Sequence, residues 1–144
     1  MTLFITQTML SLDNAKLLNL FYAGGFGMAL FINPDTFFGP SGFAPYFGHA
    51  ATELTQWNGR AFGAQLIGMA SFFFFSNDEN SSKMGLKMCT VAHVMMLPLM
   101  LKGAFDETSG AYLNTMWKVQ VAMHLPVLYA TYAAGFGSSD KKKK

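Results

Sequence analysis

The stretch TELTQWNGRAFGAQLIGMASFFFF, residues 52–75, contains the only arginine of the chain, Arg60, followed by a run of apolar and small residues. A helix needs about 20 mostly apolar residues to cross the hydrocarbon core of a bilayer. A guanidinium near the end of such a helix can hold it at the level of the lipid headgroups. The stretch therefore predicts a membrane-spanning helix over residues 56–76 and leaves Arg60 as an interfacial anchor or as part of a site.

Uncharged windows recur along the rest of the chain. Of all residues 51% are hydrophobic and only 12% are charged, whereas about 25% of the residues of a soluble domain are charged. The window around residues 88–101 is short and reaches spanning length if flanking lysines extend their aliphatic stems to the interface. A soluble protein with buried core helices is the alternative. We predict a single transmembrane domain, residues 1–144, with spans at residues 17–34, 56–76, 84–101 and 118–138.

The connections and the basic residues predict how these spans are arranged. Residues 33–50 are rich in proline and glycine, and residues 76–83 are polar, so short turns should join antiparallel neighbours. The predicted fold is an all-α, antiparallel up-down, four-helix membrane bundle with both termini on one side. That side would hold seven of the ten basic residues, which favours the stromal, cytosolic or matrix side. The terminal lysines 141–144 also fit a dilysine retrieval signal or a solvated basic end.

Small residues four positions apart predict where the helices meet. In a bilayer, close approach of two backbones favours helix association, and small residues permit it. The sequence has three such pairs, Ala23 with Gly27, Gly59 with Gly63, and Ala64 with Gly68. We expect contact faces there, with Gly63 and Gly68 both facing a neighbouring helix.

The chain has three histidines, and two of them lie inside predicted spans. From their predicted depths, His93 and His124 should be on the order of 10 Å or more apart, so they should not share a metal, and no metal site is predicted. Each ring needs a polar partner within the membrane. That partner is either a backbone carbonyl that Pro98 or Pro126 leaves free, or, most of all for His93, the magnesium of a tetrapyrrole.

The segment NGRAFG, residues 58–63, preceded by Glu53, resembles the first-helix signature of chlorophyll-binding light-harvesting proteins. In that family a glutamate paired across helices with an arginine coordinates the chlorophyll magnesium, so the resemblance implies a similar role for Glu53 and Arg60. The likeness is confined to residues 53–63, and the glutamate-to-arginine spacing is two residues longer here. In size and composition the chain is similar to small accessory subunits of algal photosystem supercomplexes, and also to DoxX-like proteins and sterol-synthesis scaffold proteins.

These observations predict an accessory structural subunit of a large energy-converting membrane complex, with a photosystem-antenna supercomplex in the plastid thylakoid as the first choice. Its partners would be membrane lipids and other integral subunits, and no basic face suggests nucleic acid. Enzyme motifs are absent from the sequence, so no activity is predicted. The alternative is a lipid-, sterol- or quinone-related enzyme or scaffold of the endoplasmic reticulum or mitochondrial inner membrane. Any bound chlorophyll would be ligated by His93, Glu53, Gln65 or His124, in that order of preference, and a carotenoid or a lipid is the other cofactor expected.

Overall fold

The structure, a computed structural model, describes residues 11–137. This part of the chain is all helical between its connections, which confirms the predicted all-α class. An isolated antiparallel bridge between Phe47 and Tyr112 joins two of the connections. The helices are α1 (Leu12–Ile32), α2 (Pro34–Phe38), α3 (Glu53–Phe75), α4 (Glu79–Phe105) and α5 (Asn114–Phe136).

The four long helices pack as antiparallel neighbours. Gly27 of α1 faces the backbone of Gly63 in α3. In the second turn of α4, Gly85 faces the rings of Phe72 and Phe73, which lie at the end of α3. At the other end of α4, Gly103 lies against the indole of Trp117. The most extensive contacts are those of α1 with α3 and of α4 with α5, and α3 meets α4 mainly near the end of α3.

One end of this arrangement is closed by a small apolar cluster, formed by Ala15, Phe73, Leu86, Cys89 and Ala134. These residues come from the start of α1, the end of α3, the start of α4 and the end of α5. The start of α1 and the end of α5 therefore lie at the same end of the bundle. The side of a membrane on which that end lies stays a prediction, and the lysine tail lies outside the described residues.

Helix α4 is longer than the predicted span over residues 84–101. It begins at Glu79, because the side chain of Asp78 accepts a hydrogen bond from the Ser81 backbone N–H at 2.8 Å and caps the first turn. Hydrogen bonds from the side chain and backbone of Ser81 lower the pKa of the Asp78 carboxyl, which keeps this cap charged. Most of the expected polar connection 76–83 is thus helical.

The other long helices differ from the predicted spans by a turn or so at their ends. Helix α1 starts at Leu12, where Ser11 caps it, and ends before Pro34, which opens α2. Helix α5 starts at Asn114, ahead of the predicted span 118–138, whose last residue lies outside the part described. The side chain of Asn114 donates to the carbonyls of Gly103 and Asp106, which ties the start of α5 to the end of α4.

Two of the predicted small-residue contacts hold and one is wrong. A Cβ on Gly63 would lie 2.6 Å from the carbonyl oxygen of Gly27 and 2.6 Å from the backbone nitrogen of Phe31, so the glycine is required there. Gly59 similarly faces Pro34. Gly68, by contrast, is exposed and a Cβ there would meet nothing within 4 Å. The sequence spacing alone does not distinguish these two sides of α3.

By length and composition, α1 and α4 are the two described helices that are long and apolar enough to cross a membrane. In the apolar windows of these helices only 28% and 33% of the residues are buried. A core helix of a soluble protein would be mostly buried.

Candidate functional site

The interior of the bundle contains a group of polar side chains at mid-height. Asn19 on α1, His93 on α4, and Gln120 and His124 on α5 have exposures of 1%, 7%, 3% and 1%. Tyr22 on α1 joins them through its hydroxyl group. We call these five residues the polar core.

The two histidines are adjacent, which corrects the expectation that they lie on the order of 10 Å or more apart. Their ring centroids are 4.7 Å apart in an edge-to-face arrangement. His93 lies about three turns before α4 ends at Phe105, and His124 lies about three turns after α5 starts at Asn114. Because α4 and α5 are joined at that end, both rings reach nearly the same depth. The expectation failed because α4 and α5 begin at Glu79 and Asn114, about one turn before the predicted spans at residues 84–101 and 118–138.

A backbone hydrogen bond fixes the orientation of the His124 ring. Its Nε2 lies 3.0 Å from the carbonyl oxygen of His93, and because a carbonyl only accepts, Nε2 carries the proton. In a neutral imidazole Nδ1 then accepts, so the Tyr22 hydroxyl donates to it over 2.9 Å. The predicted carbonyl partner is therefore present, but it belongs to His93 and not to Val94, the residue whose carbonyl Pro98 leaves without its usual donor.

From Tyr22 the hydrogen bonds continue toward the connection between α2 and α3. Gln120 Nε2 donates to the Tyr22 hydroxyl oxygen, and its Oε1 accepts from the hydroxyl of Tyr46 at 2.6 Å. Burial raises the pKa of Tyr46, which keeps this hydroxyl protonated as the donor. Trp117 Nε1 donates to the backbone carbonyl of Tyr46 at 2.8 Å. The polar core is thus tied to one end of the bundle.

In the other direction the polar core ends at Asn19. His93 Nε2 lies 3.1 Å from Asn19 Oδ1. The amide nitrogen of Asn19, Nδ2, is buried and has no hydrogen-bond partner. A buried donor without a partner is costly, by about 1–3 kcal/mol, so Asn19 is a point of the polar core at which an additional hydrogen-bond acceptor would be stabilising.

To bind the magnesium of a tetrapyrrole, a side chain needs a nitrogen or oxygen atom that makes no hydrogen bond and that faces enough open space for the macrocycle. His124 uses both ring nitrogens in hydrogen bonds, and His93 uses Nε2 on Asn19. Both rings are buried between helices, so they do not fit a macrocycle in this conformation. Glu53 and Gln65 are exposed on α3 and are the predicted donors with free access. Chlorophyll binding itself stays a prediction.

Arg60 lies on the exposed side of α3, as do Glu53 and Gln65. Glu53 and Arg60 are two turns apart on nearly the same face, and no ion pair between them, or from Arg60 to Asp106 or Glu107, occurs in the described part of the chain. Lys118, an exposed cation at the start of α5, lies with its ammonium 5.5 Å from the ring centre of Phe105. The structure thus separates the predicted donors into a buried histidine pair and an exposed group on α3.

Within residues 11–137, no group of three or more histidine, cysteine or acidic side chains could hold a metal ion. The sequence reasoning missed Asn19, Tyr22 and Gln120. Their signal was available, because Asn19 and Gln120 are uncharged polar residues inside windows that had been recognised only by the absence of charge. Comparison with protein-family models, curated proteins and solved structures finds no match for the chain.

Proposed function

We propose that the chain is an integral membrane protein whose four long helices cross the bilayer, and that it serves as an accessory structural subunit of a large energy-converting membrane complex. The observation that carries this proposal is the distribution of polarity. At mid-height, polar side chains are buried inside the bundle, whereas many large apolar side chains are exposed on the outside of α1, α4 and α5.

The contrast is clearest at mid-height. Asn19, Gln120 and His124 are almost completely buried. On the outside of the bundle, Phe21 is 70% exposed and Met95 is 70% exposed. Such an exterior is unfavourable in water, because contiguous apolar surface associates or aggregates. In a bilayer it faces lipid or neighbouring helices at no such cost, and interhelical hydrogen bonds can hold the polar interior together.

The polar core supports a structural role. Its hydrogen bonds join α1, α4 and α5 to each other and to Tyr46 in the connection, which fixes the relative rotation of three helices. A rigid, internally bonded bundle with an apolar surface is suited to filling the space between larger membrane subunits. The choice of a photosystem-antenna supercomplex, and with it the thylakoid, is supported by the resemblance of residues 53–63 to chlorophyll-binding helices, and Glu53 and Arg60 of that segment are exposed.

The test is native electrophoresis of membranes from cells that make the protein. Carbonate washing should leave the protein in the membrane, and after mild detergent it should migrate with a complex many times its own mass of 15.8 kDa. Absorption spectra of that band would show whether the complex contains chlorophyll. A protein removed by carbonate would overturn the membrane assignment. A protein that stays in the membrane but migrates only as a free small species would overturn the accessory role.

A second candidate function is favoured by one observation, the unpartnered amide nitrogen of Asn19 beside His93. A carbonyl or hydroxyl oxygen of a lipid, sterol or quinone could accept from it, as a lipid-handling protein of the endoplasmic reticulum or mitochondrial inner membrane would require. A fluorescent tag at the N-terminus, which leaves lysines 141–144 free, separates these locations from the plastid. Reticular or mitochondrial fluorescence would favour this second function over the first.

A further inference from the structure

Helix α3 lies at the edge of the bundle. Three of its 23 residues are buried, Gly63, Ala70 and Phe73, and they lie along one narrow side. Through this side α3 packs on α1, where Gly63 meets Gly27. Helix α4, by contrast, has nine buried residues spread along its length. The exposed residues of α3 form a second side, which has no neighbour within the described part of the chain.

The exposed residues of α3 include large apolar side chains, such as Leu54 and Trp57, together with polar ones. Glu53, Asn58, Arg60 and Gln65 are all exposed. They lower the hydropathy of the helix, which is why α3 is not one of the two helices that are apolar enough to cross a membrane by composition. Gln65 lies near the middle of α3, almost equally far from its two ends. A side-chain amide at that depth would have no hydrogen-bonding partner in lipid.

Arg60 is the second group that lacks a partner. It lies two turns into α3, beside the level at which α1 ends, because its neighbour Gly59 contacts Pro34. Asp35, an acid at the same end of the bundle, already accepts hydrogen bonds from the Ala51 backbone N–H and from Gln56 Nε2. Within the described residues no carboxylate forms an ion pair with Arg60. A guanidinium in such a position favours an external carboxylate, with which it forms paired hydrogen bonds.

We propose that the exposed side of α3 docks against a transmembrane helix of a different integral membrane subunit, and that this helix places an aspartate or glutamate opposite Arg60 and a hydrogen-bonding side chain opposite Gln65. This inference rests on the proposed function, since it names the surface and the chemistry of the partner in the larger complex. Burial against the partner gives Gln65 a hydrogen bond that lipid tails do not supply, and gives Arg60 a carboxylate that the described part of this chain does not supply.

A second copy of the chain fits this surface poorly. A two-fold axis along the membrane normal would place residues of equal depth opposite each other, and would bring Arg60 against Arg60 of the copy. Within one turn of Arg60 the copy offers Gln56, Trp57 and Ala64, and no carboxylate. Like charges facing each other in a low dielectric repel. Charge complementarity therefore favours a different subunit.

The test uses the full chain in native membranes, with Arg60→Glu as the variant and Lys102→Glu as the control. Lys102 is also an exposed cation, in the last turn of α4 at the same end of the bundle. We expect Arg60→Glu to lower the fraction of protein in the large complex by about tenfold or more, because it faces a carboxylate with a carboxylate. Arg60→Lys should lose less, and Lys102→Glu should leave the fraction unchanged.

A photo-crosslinking residue at position 65 tests the same surface, and its result does not depend on whether the Arg60→Glu variant folds. The control is a photo-crosslinking residue at position 95, where Met95 is exposed on α4. We expect a larger, distinct protein adduct from position 65. If the wild-type chain enters no complex, the proposed function fails. If the complex forms, but Arg60→Glu enters it normally and position 65 captures only lipid, the docking surface is overturned while the function stands. An adduct of twice the chain's mass would show that the partner is a second copy, which also overturns the inference.

Discussion

At the scale of single residues, Tyr22 is the centre of the polar core. Its hydroxyl oxygen accepts from Gln120 and its proton is donated to His124 Nδ1, so one group satisfies two buried side chains on α5. His124 then holds α4 through the carbonyl of His93. Loss of this hydroxyl would leave buried polar atoms without partners, which costs more than loss of an exposed hydrogen bond.

We therefore expect Tyr22→Phe to lower the free energy of unfolding in detergent by about 1–3 kcal/mol. Tyr129→Phe is the matched control, because Tyr129 is 58% exposed and makes no described hydrogen bond. Unfolding by denaturant, followed through tryptophan fluorescence, measures both variants. Equal stabilities of the two variants would mean that the Tyr22 hydroxyl does not support the core.

At the scale of helices, the contact between α1 and α3 depends on a close backbone approach. Gly27 and Gly63 face each other, and a Cβ on Gly63 would meet two backbone atoms that cannot rotate away. Gly68, further along α3, faces open space. The same spacing of small residues thus marks a contact at one position and none at the other. This difference depends on which side of α3 meets α1, which the spacing alone leaves open.

Gly63→Ala should push α1 and α3 apart and destabilise the bundle by about 1–3 kcal/mol, because the inserted methyl group overfills a tight contact. Gly68→Ala should not lower the stability of the isolated protein and should raise it by up to about 1 kcal/mol, because alanine favours a helix over glycine. The thermal unfolding midpoint in detergent compares the two variants. A larger loss for Gly68→Ala would show that this side of α3 is packed in the isolated protein.

At the scale of the whole molecule, composition and connection lengths were sufficient to predict an all-helical chain, because charge-free windows and polar breaks are local features. The pairing of His93 with His124 could not be predicted from them. The pairing depends on where α4 and α5 begin. Asp78 caps α4 from within a polar segment that the sequence assigns to a connection. Asn114 bonds to the end of a different helix, which a local pattern does not reveal. Which residues of α3 are buried and which are exposed likewise depends on the rotation of α3 about its axis, and this rotation is known only once the helices are packed.

A substitution on the outer surface of the bundle can show whether lipid or water surrounds it. Val91 is 60% exposed and lies near the middle of α4, almost equally far from its two ends. If lipid covers this surface, Val91→Arg places a guanidinium near the bilayer centre and should oppose insertion by about 2.5–3.5 kcal/mol. If water covers it, the substitution is nearly neutral, as at most exposed positions. Ser109→Arg, in the exposed connection before α5, is the control that adds the same charge outside the predicted spans. Carbonate extraction and glycosylation mapping of both variants measure insertion, and normal folding of a water-soluble Val91→Arg protein would contradict the membrane assignment.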